Sequence, residues 1–262
     1  MVSAVLAALL CRKSASSAGK IGLSLAPFQR YLHGMTHTFI YQPPTQPWLD
    51  VLYQDKDLIV LNKPSGLLTN PGRGAHLADC LLSRVQQQYP QALLVHRLDM
   101  ATSGVVVMAL RRKAEAALKQ QFAARSVKKR YLAMVWGRLN RAQGTVDVPL
   151  IADADNPPKQ KVCFSSGKAA ITHYRLLQQL PDRALVELLP VTGRSHQLRM
   201  HMLHLGHPIL GDAFYADNDA LHAAPRLLLH AASLQVLQPY HGTALQFSAD
   251  SDFVTAQGEL IY

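Results

Sequence analysis

An aspartate stands between an arginine and a turn-forming sequence in the stretch HRLDMATSG, residues 96–104. The run VVVMAL, residues 105–110, follows at once and predicts a strand, with a tight turn over residues 102–104 just before it. A carboxylate at the end of a buried strand is costly unless something pairs with it or uses it. Asp99 is therefore a candidate nucleophile or general base, and a surface salt bridge with Arg97 is the alternative.

A second polar cluster lies in GRSHQLRMHMLHLGH, residues 193–207. Its charged or titratable side chains are Arg194, Arg199 and the histidines His196, His201, His204 and His207. Metal binding by His196, His204 and His207, which would share one face of a continuous helix, is one interpretation. However, no Cys, Asp or Glu is interleaved, and the break at 206–208 is expected to take His207 off the helix. The arginines fit an anion better, either an RNA phosphate or the carboxylate of Asp99.

A third cluster is RSVKKRYLAMVWG, residues 125–137, where basic residues precede Tyr131 at a strand start. A solvated charge run is one interpretation, and a surface that holds a phosphate backbone while an aromatic ring stacks on a base is the other. Lys63, in NKPSG, is a further candidate anion binder. No Gly-rich phosphate loop and no GxGxxG after a strand are present, which argues against nucleotide hydrolysis and a dinucleotide cofactor.

Short strand-like runs must position these clusters. Amphipathic helices are predicted from Leu77 to Pro90 and around Ala114, Leu118 and Phe122. Strands are predicted at 51–54, 58–62, 105–110, 131–136, 143–150, 160–164, 169–177, 184–189, 227–236 and 245–247. Most connections are too short for helical crossovers, so we expect an α+β fold with a mixed, mostly antiparallel sheet.

The chain is basic, with 27 Lys and Arg against 17 Asp and Glu and a formal net charge of +10. This surplus points to phosphate-bearing partners, with nucleic acid first. Three cysteines without metal-type spacing favour a reducing compartment. Residues 1–34 hold no acid, and we expect a disordered extension or a start assigned too early, with Met35 as the other start; an organelle transit peptide is the alternative.

Six motifs taken together resemble the RluA-type pseudouridine synthases. They are LNKPSG (61–66), HRLDMATSG (96–104), KKRYLAMVWG (128–137), PVTGRSHQLRMHM (190–202), GHPILGD (206–212) and RLLLHA (226–231). They follow the family's order and, with their surroundings, cover nearly everything from Trp48 to Phe247. The compact form, in which WLDVLYQD leads directly into the motifs, resembles members that act on both tRNA and 23S rRNA.

The resemblance implies a pseudouridine synthase fold with flanking helices and loops around an RNA-binding cleft. It implies a catalytic domain over residues 45–250, between an extension at 1–44 and a tail at 251–262. The implied reaction is isomerisation of uridine to pseudouridine in structured RNA, at uridine 32 of a tRNA anticodon stem-loop and uridine 746 of 23S rRNA. No cofactor and no metal are implied, and we expect a cytoplasmic monomer that does not bind membranes.

The resemblance also assigns roles to residues. Asp99 is the implied catalytic aspartate, and Arg199 pairs with it and keeps it ionised. Tyr131 is the third implied catalytic residue, which stacks on the target base and is a candidate for assisting a proton step. Arg97 resembles the residue that fills the space left by the everted nucleotide. The other expected RNA-binding residues are His96, Lys63, Lys128, Lys129, Arg130, Arg194 and His196. Two further functions stay open here, a non-catalytic RNA-binding module and an RNA N-glycosylase.

Overall fold

The computed structural model describes residues 41–254 and 260–261. Its helices are α1 (Leu81–Gln88), α2 (Arg112–Ala123), α3 (Gln197–His204) and α4 (Asn218–His222). Its strands are β1 (Val51–Gln54), β2 (Leu58–Lys63), β3 (Leu93–Leu94), β4 (Ser103–Ala109), β5 (Lys128–Trp136), β6 (Gln143–Asp147), β7 (Leu150–Ala152), β8 (Gln160–Val162), β9 (Ile171–Gln179), β10 (Arg183–Pro190), β11 (Leu229–Leu237) and β12 (Ala244–Ser248). Most of the predicted extension, Met35 included, lies outside the described residues.

Ten of these strands form one sheet, in the order β1-β2-β4-β11-β5-β10-β9-β6, with β12 beside β11 and β3 beside β4. In this sheet the pairing of β4 with β11 is parallel and the other pairings are antiparallel. Strands β7 and β8 form a separate hairpin. The prediction of an α+β fold with a mixed, mostly antiparallel sheet is confirmed. Among the helices of the described part, none is long and apolar enough to cross a membrane.

Strand β4 is buried along its whole length because a helix covers each of its faces. Val105 and Val107 belong to a cluster that includes apolar side chains of α2, whereas Val106 and Met108 belong to one that includes apolar side chains of α1. Alternate residues of a strand point to opposite faces, so one β-branched run supplies both clusters. Burying each such side chain contributes about 1.5–3 kcal/mol, and this holds rigid the strand that follows Asp99.

The start of β4 differs from the prediction. Ser103 and Gly104, expected in the turn, already pair with His230 and Ala231 of β11, so the strand begins two residues earlier. Gly104 has a φ of 111°, and a Cβ built there would lie 2.3 Å from the Ala231 carbonyl oxygen. Only glycine permits this close approach of the two backbones. The turn itself is displaced to residues 99–102, where the Thr102 N–H donates to the Asp99 carbonyl at 3.1 Å.

Two other predicted elements change their bounds for local reasons. Helix α1 begins at Leu81, later than the predicted start, because Cys80 caps it: Cys80 Sγ accepts the Ser83 N–H, and Ser83 Oγ accepts the Cys80 N–H. The predicted strand over 143–150 is divided into β6 and β7, with Pro149, which has no N–H to donate, between them. Helix α4 was not predicted.

Candidate active site

Strand register places the turn of Asp99 beside Tyr131. On β11, Ala231 pairs on one side with Gly104 of β4 and on the other with Tyr131 of β5. The three residues therefore lie in a row across the sheet, and Asp99 is on the turn that leads into this row. Asp99 and Tyr131 both line a cleft of about 340 Å³.

Most of the residues predicted from the sequence meet in this cleft. Eight of the eleven line it: His96, Arg97, Asp99, Lys129, Tyr131, Arg194, His196 and Arg199. The other three, Lys63, Lys128 and Arg130, are not among its lining residues. The cleft therefore brings together a carboxylate, an aromatic ring and several cationic groups, which suits a nucleotide in RNA.

Lys63 differs from the prediction because it points into the protein. Its side chain is fully buried, and Nζ donates to the carbonyl oxygens of Pro64, Leu67 and Met100 at 2.8, 2.7 and 3.0 Å. Burial lowers the pKa of Lys63 to about 7. All three donors of its ammonium group are used, so Lys63 cannot contact RNA in this structure. Its hydrogen bonds instead connect the loop after β2 with the turn of Asp99.

The same loop holds the turn at further points. Ser65 Oγ donates to the Ala101 carbonyl at 2.7 Å, and the Gly66 N–H donates to the Met100 carbonyl at 2.9 Å. Thr69 Oγ1 donates to the Leu98 carbonyl at 2.7 Å. The LNKPSG motif is therefore the support on which the turn of Asp99 is built, a role that its sequence does not indicate.

The two basic residues directly before Tyr131 point to opposite faces of β5, as consecutive residues of a strand do. Lys129 lines the cleft with Tyr131, and its Nζ donates to the Thr192 carbonyl at 3.3 Å. Arg130 does not line the cleft, and its Nε donates to Glu187 Oε1 at 2.6 Å. The side chain of Arg130 is 40% exposed, so the prediction that Arg130 binds RNA applies to the surface outside this cleft. Lys128 is exposed, outside the cleft lining.

A buried ion network joins Asp99 to two residues far along the chain. Arg199 Nη1 lies 3.6 Å from Asp99 Oδ2, as the resemblance implied. The strongest partner of Arg199 is Asp212, which accepts Nε at 2.8 Å on Oδ2 and Nη2 at 2.6 Å on Oδ1. The side chains of Arg199 and Asp212 are 4% and 1% exposed, whereas that of Asp99 is 24% exposed. Asp99 is therefore the member of the network that a substrate can reach.

Asp212 was missed as a site residue, although GHPILGD ends on it. A physical argument could have identified it. A buried arginine needs a carboxylate partner, and Asp212 is the last residue of the next motif along the chain. Asp212 Oδ1 also accepts the N–H groups of Phe214 and Tyr215 at 2.9 and 3.2 Å. Both rings then lie beside the Arg199 guanidinium, with Cζ 4.9 and 5.0 Å from their centroids.

The surroundings of Tyr131 favour a stacking role. Burial, and after it the negative charge of Asp99, raises the pKa of the Tyr131 phenol. The phenol therefore stays protonated near neutral pH, when it can donate a hydrogen bond but is a poor proton acceptor. This argues for the ring as a platform for the base and against Tyr131 as a general base.

His96 is a neutral wall of the cleft. Its Nε2 accepts the Val107 N–H at 3.0 Å, and its ring stacks on Phe122 with the centroids 4.7 Å apart. Burial, followed by the charge of Lys129, lowers the pKa of His96 to about 3. A neutral ring with its acceptor nitrogen occupied cannot pair with a phosphate through charge, so any contact with RNA is limited to the ring edge.

The low pKa of His96 predicts acid sensitivity. Because the folded pKa lies below the ordinary 6.5, the unfolded chain binds more protons between pH 3 and 6.5, and the free energy of unfolding falls as the pH drops through that window. This residue alone contributes a loss of about 2 kcal/mol by pH 5. Urea denaturation at pH 7 and pH 5 measures the loss, and His96→Gln, which cannot titrate, should reduce it. An exposed control, His222→Gln, should leave it unchanged, and an equal acid loss in all three proteins would contradict the assignment.

The three histidines considered as metal ligands have different surroundings. His196 Nδ1 lies 2.6 Å from the Tyr215 hydroxyl, and His207 Nδ1 lies 3.0 Å from the Trp136 carbonyl. His204 is exposed at the end of α3. Within the described part of the chain, no group of three or more His, Cys, Asp or Glu side chains is arranged to hold a metal ion.

Comparison with known proteins decides the family. A model of the RNA pseudouridylate synthase family matches residues 57–204, more than half of the chain. The chain belongs to this family. The prediction of an isomerase acting on RNA is confirmed, and the non-catalytic binding module is set aside.

Similar proteins of known name and similar solved structures support the same family assignment. The dual-specificity RNA pseudouridine synthase RluA of Escherichia coli K12 is 56% identical over 214 residues, which cover 81% of this chain and 98% of the relative. RluA of Haemophilus influenzae is 50% identical over the same shares of the two chains. The solved human RNA pseudouridylate synthase domain containing 1 is 26% identical with a TM-score of 0.66, over 79% of this chain and 84% of that one. The predicted pseudouridine synthase fold and the recognition of an RluA-type pseudouridine synthase are thereby confirmed.

Proposed function

We propose that Asp99 carries out the isomerisation of uridine in structured RNA. The observation behind this proposal is that Asp99 presents the one cleft-facing carboxylate of the buried Asp99, Arg199 and Asp212 network. In the reaction the bond from N1 to C1′ breaks, the base turns, and C5 bonds to C1′. C5 loses a proton and N1 gains one, so the atoms balance without an electron carrier or external group. A single ionised carboxylate that attacks the sugar or takes a proton from it is sufficient.

The neighbours of Asp99 supply the remaining requirements. Arg199 orients the carboxylate, since its Nη1 lies 3.6 Å from Asp99 Oδ2 and is itself held by Asp212. Tyr131 stacks on the detached base and helps the cleft to exclude water while the base turns. Arg97, Lys129 and Arg194 line the cleft as cations and fit the phosphates on either side of the target nucleotide.

The proposed substrates are a tRNA anticodon stem-loop, at uridine 32, and 23S rRNA, at uridine 746. Support comes from the identity to relatives named as dual-specificity enzymes, which extends over 98% of their length. We propose a cytoplasmic monomer, because one chain supplies every side chain of the site and Cys80 and Cys163 are free thiols.

Two products distinguish isomerisation from base hydrolysis. RNA that carries uridine tritiated at C5 is incubated with the protein, and tritium in water and free uracil are both measured. Isomerisation releases tritium without uracil, whereas an N-glycosylase releases uracil that retains its tritium. Mapping pseudouridine in total RNA from cells with and without the protein then identifies the positions, and unchanged maps would contradict the proposed substrates.

Arg97 is exposed at the cleft and is proposed to fill the space left by the everted nucleotide. Arg97→Ala is expected to lower kcat/KM on a stable stem-loop by about 10–100-fold and on an unstructured RNA by about threefold or less, because only the former must lose stacking. The measurement is kcat/KM on both RNAs, with the exposed Arg141→Ala as a control. Equal losses on the two RNAs would contradict a space-filling role.

A further inference from the structure

Two hydrogen bonds and one longer polar contact lead from a backbone amide to Asp99. The Gln160 N–H, at the start of β8, donates to the Tyr215 hydroxyl at 2.8 Å. The same hydroxyl lies 2.6 Å from His196 Nδ1. On the other side of the imidazole ring, His196 Nε2 lies 3.9 Å from Asp99 Oδ2.

The donor at the start of this series of contacts favours one direction for it. A backbone amide can only donate, so the Tyr215 oxygen is the acceptor of that bond. The oxygen has a second lone pair that could accept from His196 Nδ1, but the Nε2 lone pair would then face the carboxylate of Asp99. Donation from the hydroxyl to Nδ1, at 2.6 Å, avoids this repulsion. A neutral imidazole with Nδ1 as acceptor carries its hydrogen on Nε2, and the N–H of His196 then faces Asp99.

The backbone of His196 is held in an unusual conformation. Its φ and ψ are 52° and 21°, in the left-handed region that a non-glycine residue rarely adopts. Such a conformation persists where the surroundings over-determine it, and it often occurs at functional sites. Here it places a ring that is only 10% exposed between Tyr215 and Asp99. The turn that carries Tyr215 is itself held by Asp212, which accepts the Tyr215 N–H.

The ring is neutral in this position. Burial lowers the pKa of His196, and the charges of Arg199 and Arg97 act in the same direction. The carboxylates of Asp99 and Asp212 oppose this effect without overcoming it. His196 and Arg199 Nη1 both approach the same oxygen of Asp99, Oδ2.

We propose that Tyr215 is a positioning residue that locks His196 as its Nε2–H tautomer, so that His196 holds Oδ2 of Asp99 and leaves Oδ1 for the ribose. This inference rests on the proposed function, because Asp99 must be the reacting group. When RNA fills the cleft, the 3.9 Å separation shortens by about 1 Å to a hydrogen bond. The carboxylate then reacts in a single orientation. A role in RNA affinity alone would not require a fixed tautomer.

Kinetics of matched variants test the proposal. The amide N–H of His196→Gln can occupy the position of Nε2, whereas that of His196→Asn can occupy only the position of Nδ1. We expect His196→Asn to lower kcat about 100-fold, and His196→Gln to retain at least about ten times the kcat of the Asn variant, with KM and RNA affinity within about twofold for both. Tyr215→Phe is expected to lower kcat about 10-fold at unchanged KM. The control Tyr53→Phe, whose hydroxyl contacts Asp55, should match the wild type.

Nitrogen-15 NMR of the histidine side chains reads the tautomer directly in the unmodified protein. We expect His196 to be protonated on Nε2 in the wild type and to lose this preference in Tyr215→Phe. Protonation on Nδ1 in the wild type, equal kcat values for the Gln and Asn variants, or a loss confined to KM would each overturn the inference. These results leave the proposed function standing as long as Asp99→Asn is inactive, whereas an active Asp99→Asn would overturn the function first.

Discussion

Replacing Asp99 with asparagine is expected to lower isomerisation by at least about 1,000-fold, while the affinity for RNA stays within a few fold. The amide has nearly the shape of the carboxylate but cannot attack the sugar or take a proton from it. Loss of one buried partner of Arg199 is tolerated here, because Asp212 still forms two hydrogen bonds with the guanidinium. Turnover is measured as tritium release under single-turnover conditions, and affinity by filter binding.

A matched control separates chemistry from charge. Asp182→Asn removes a carboxylate that pairs with Arg183 at the surface, outside the cleft lining. This variant should retain wild-type turnover and affinity. Turnover by Asp99→Asn within about tenfold of the wild type would contradict the catalytic role of the carboxylate.

Asp212→Asn is expected to cause the largest loss of stability at the site, about 3–5 kcal/mol. Arg199 has a side chain that is 4% exposed, and the substitution removes the negative charge that its guanidinium faces at 2.6 Å. We also expect kcat to fall about 10–100-fold, because Arg199 then turns towards Asp99 and the turn of Phe214 and Tyr215 loses an acceptor. Urea denaturation measures the stability, and kcat is measured at a temperature where the variant is folded.

The appropriate comparison is a surface pair of the same residue types. Asp252→Asn breaks the pair of Asp252 with Arg226, in which the aspartate side chain is 59% exposed. Exposed ion pairs contribute about 0–1 kcal/mol, so this variant should lose little stability. Equal losses in the two variants would show that Asp212 contributes no more than a surface charge.

The sequence was sufficient for most of the elements, though not for β3 and α4, and for the centre of the site. Periodicity of 3.6 located the helices around Leu81 and Leu118, and apolar runs bounded by turn signals located the strands at 58–62 and 105–110. The motifs placed Asp99, Tyr131 and Arg199 in one site, and the structure brings these residues to one cleft. The placement of Lys129 and Arg130 on opposite faces of the strand could also have been predicted, because a run of period two begins directly after them at Tyr131.

The rest depends on contacts that no local pattern specifies. Lys63 resembles an anion binder in sequence, and only the packing of its loop against Met100 shows that backbone carbonyls surround it. The interaction of Asp212 with Arg199 spans 13 residues. The contact of Tyr215 with His196 involves a left-handed backbone at His196, and the surrounding sequence does not indicate this conformation. These are tertiary effects, and they decide which polar residues support the turn and which face the substrate.

The most direct test is a crystal structure of Asp99→Asn bound to an anticodon stem-loop with uridine at position 32. We expect this nucleotide to be everted into the cleft with its base on Tyr131, and a side-chain atom of residue 99 to lie about 3–3.5 Å from C1′ or from the 2′ hydrogen. Arg199 should remain between residue 99 and Asp212. A uridine that stays stacked in the loop, or a ribose bound out of reach of residue 99, would contradict the central claim.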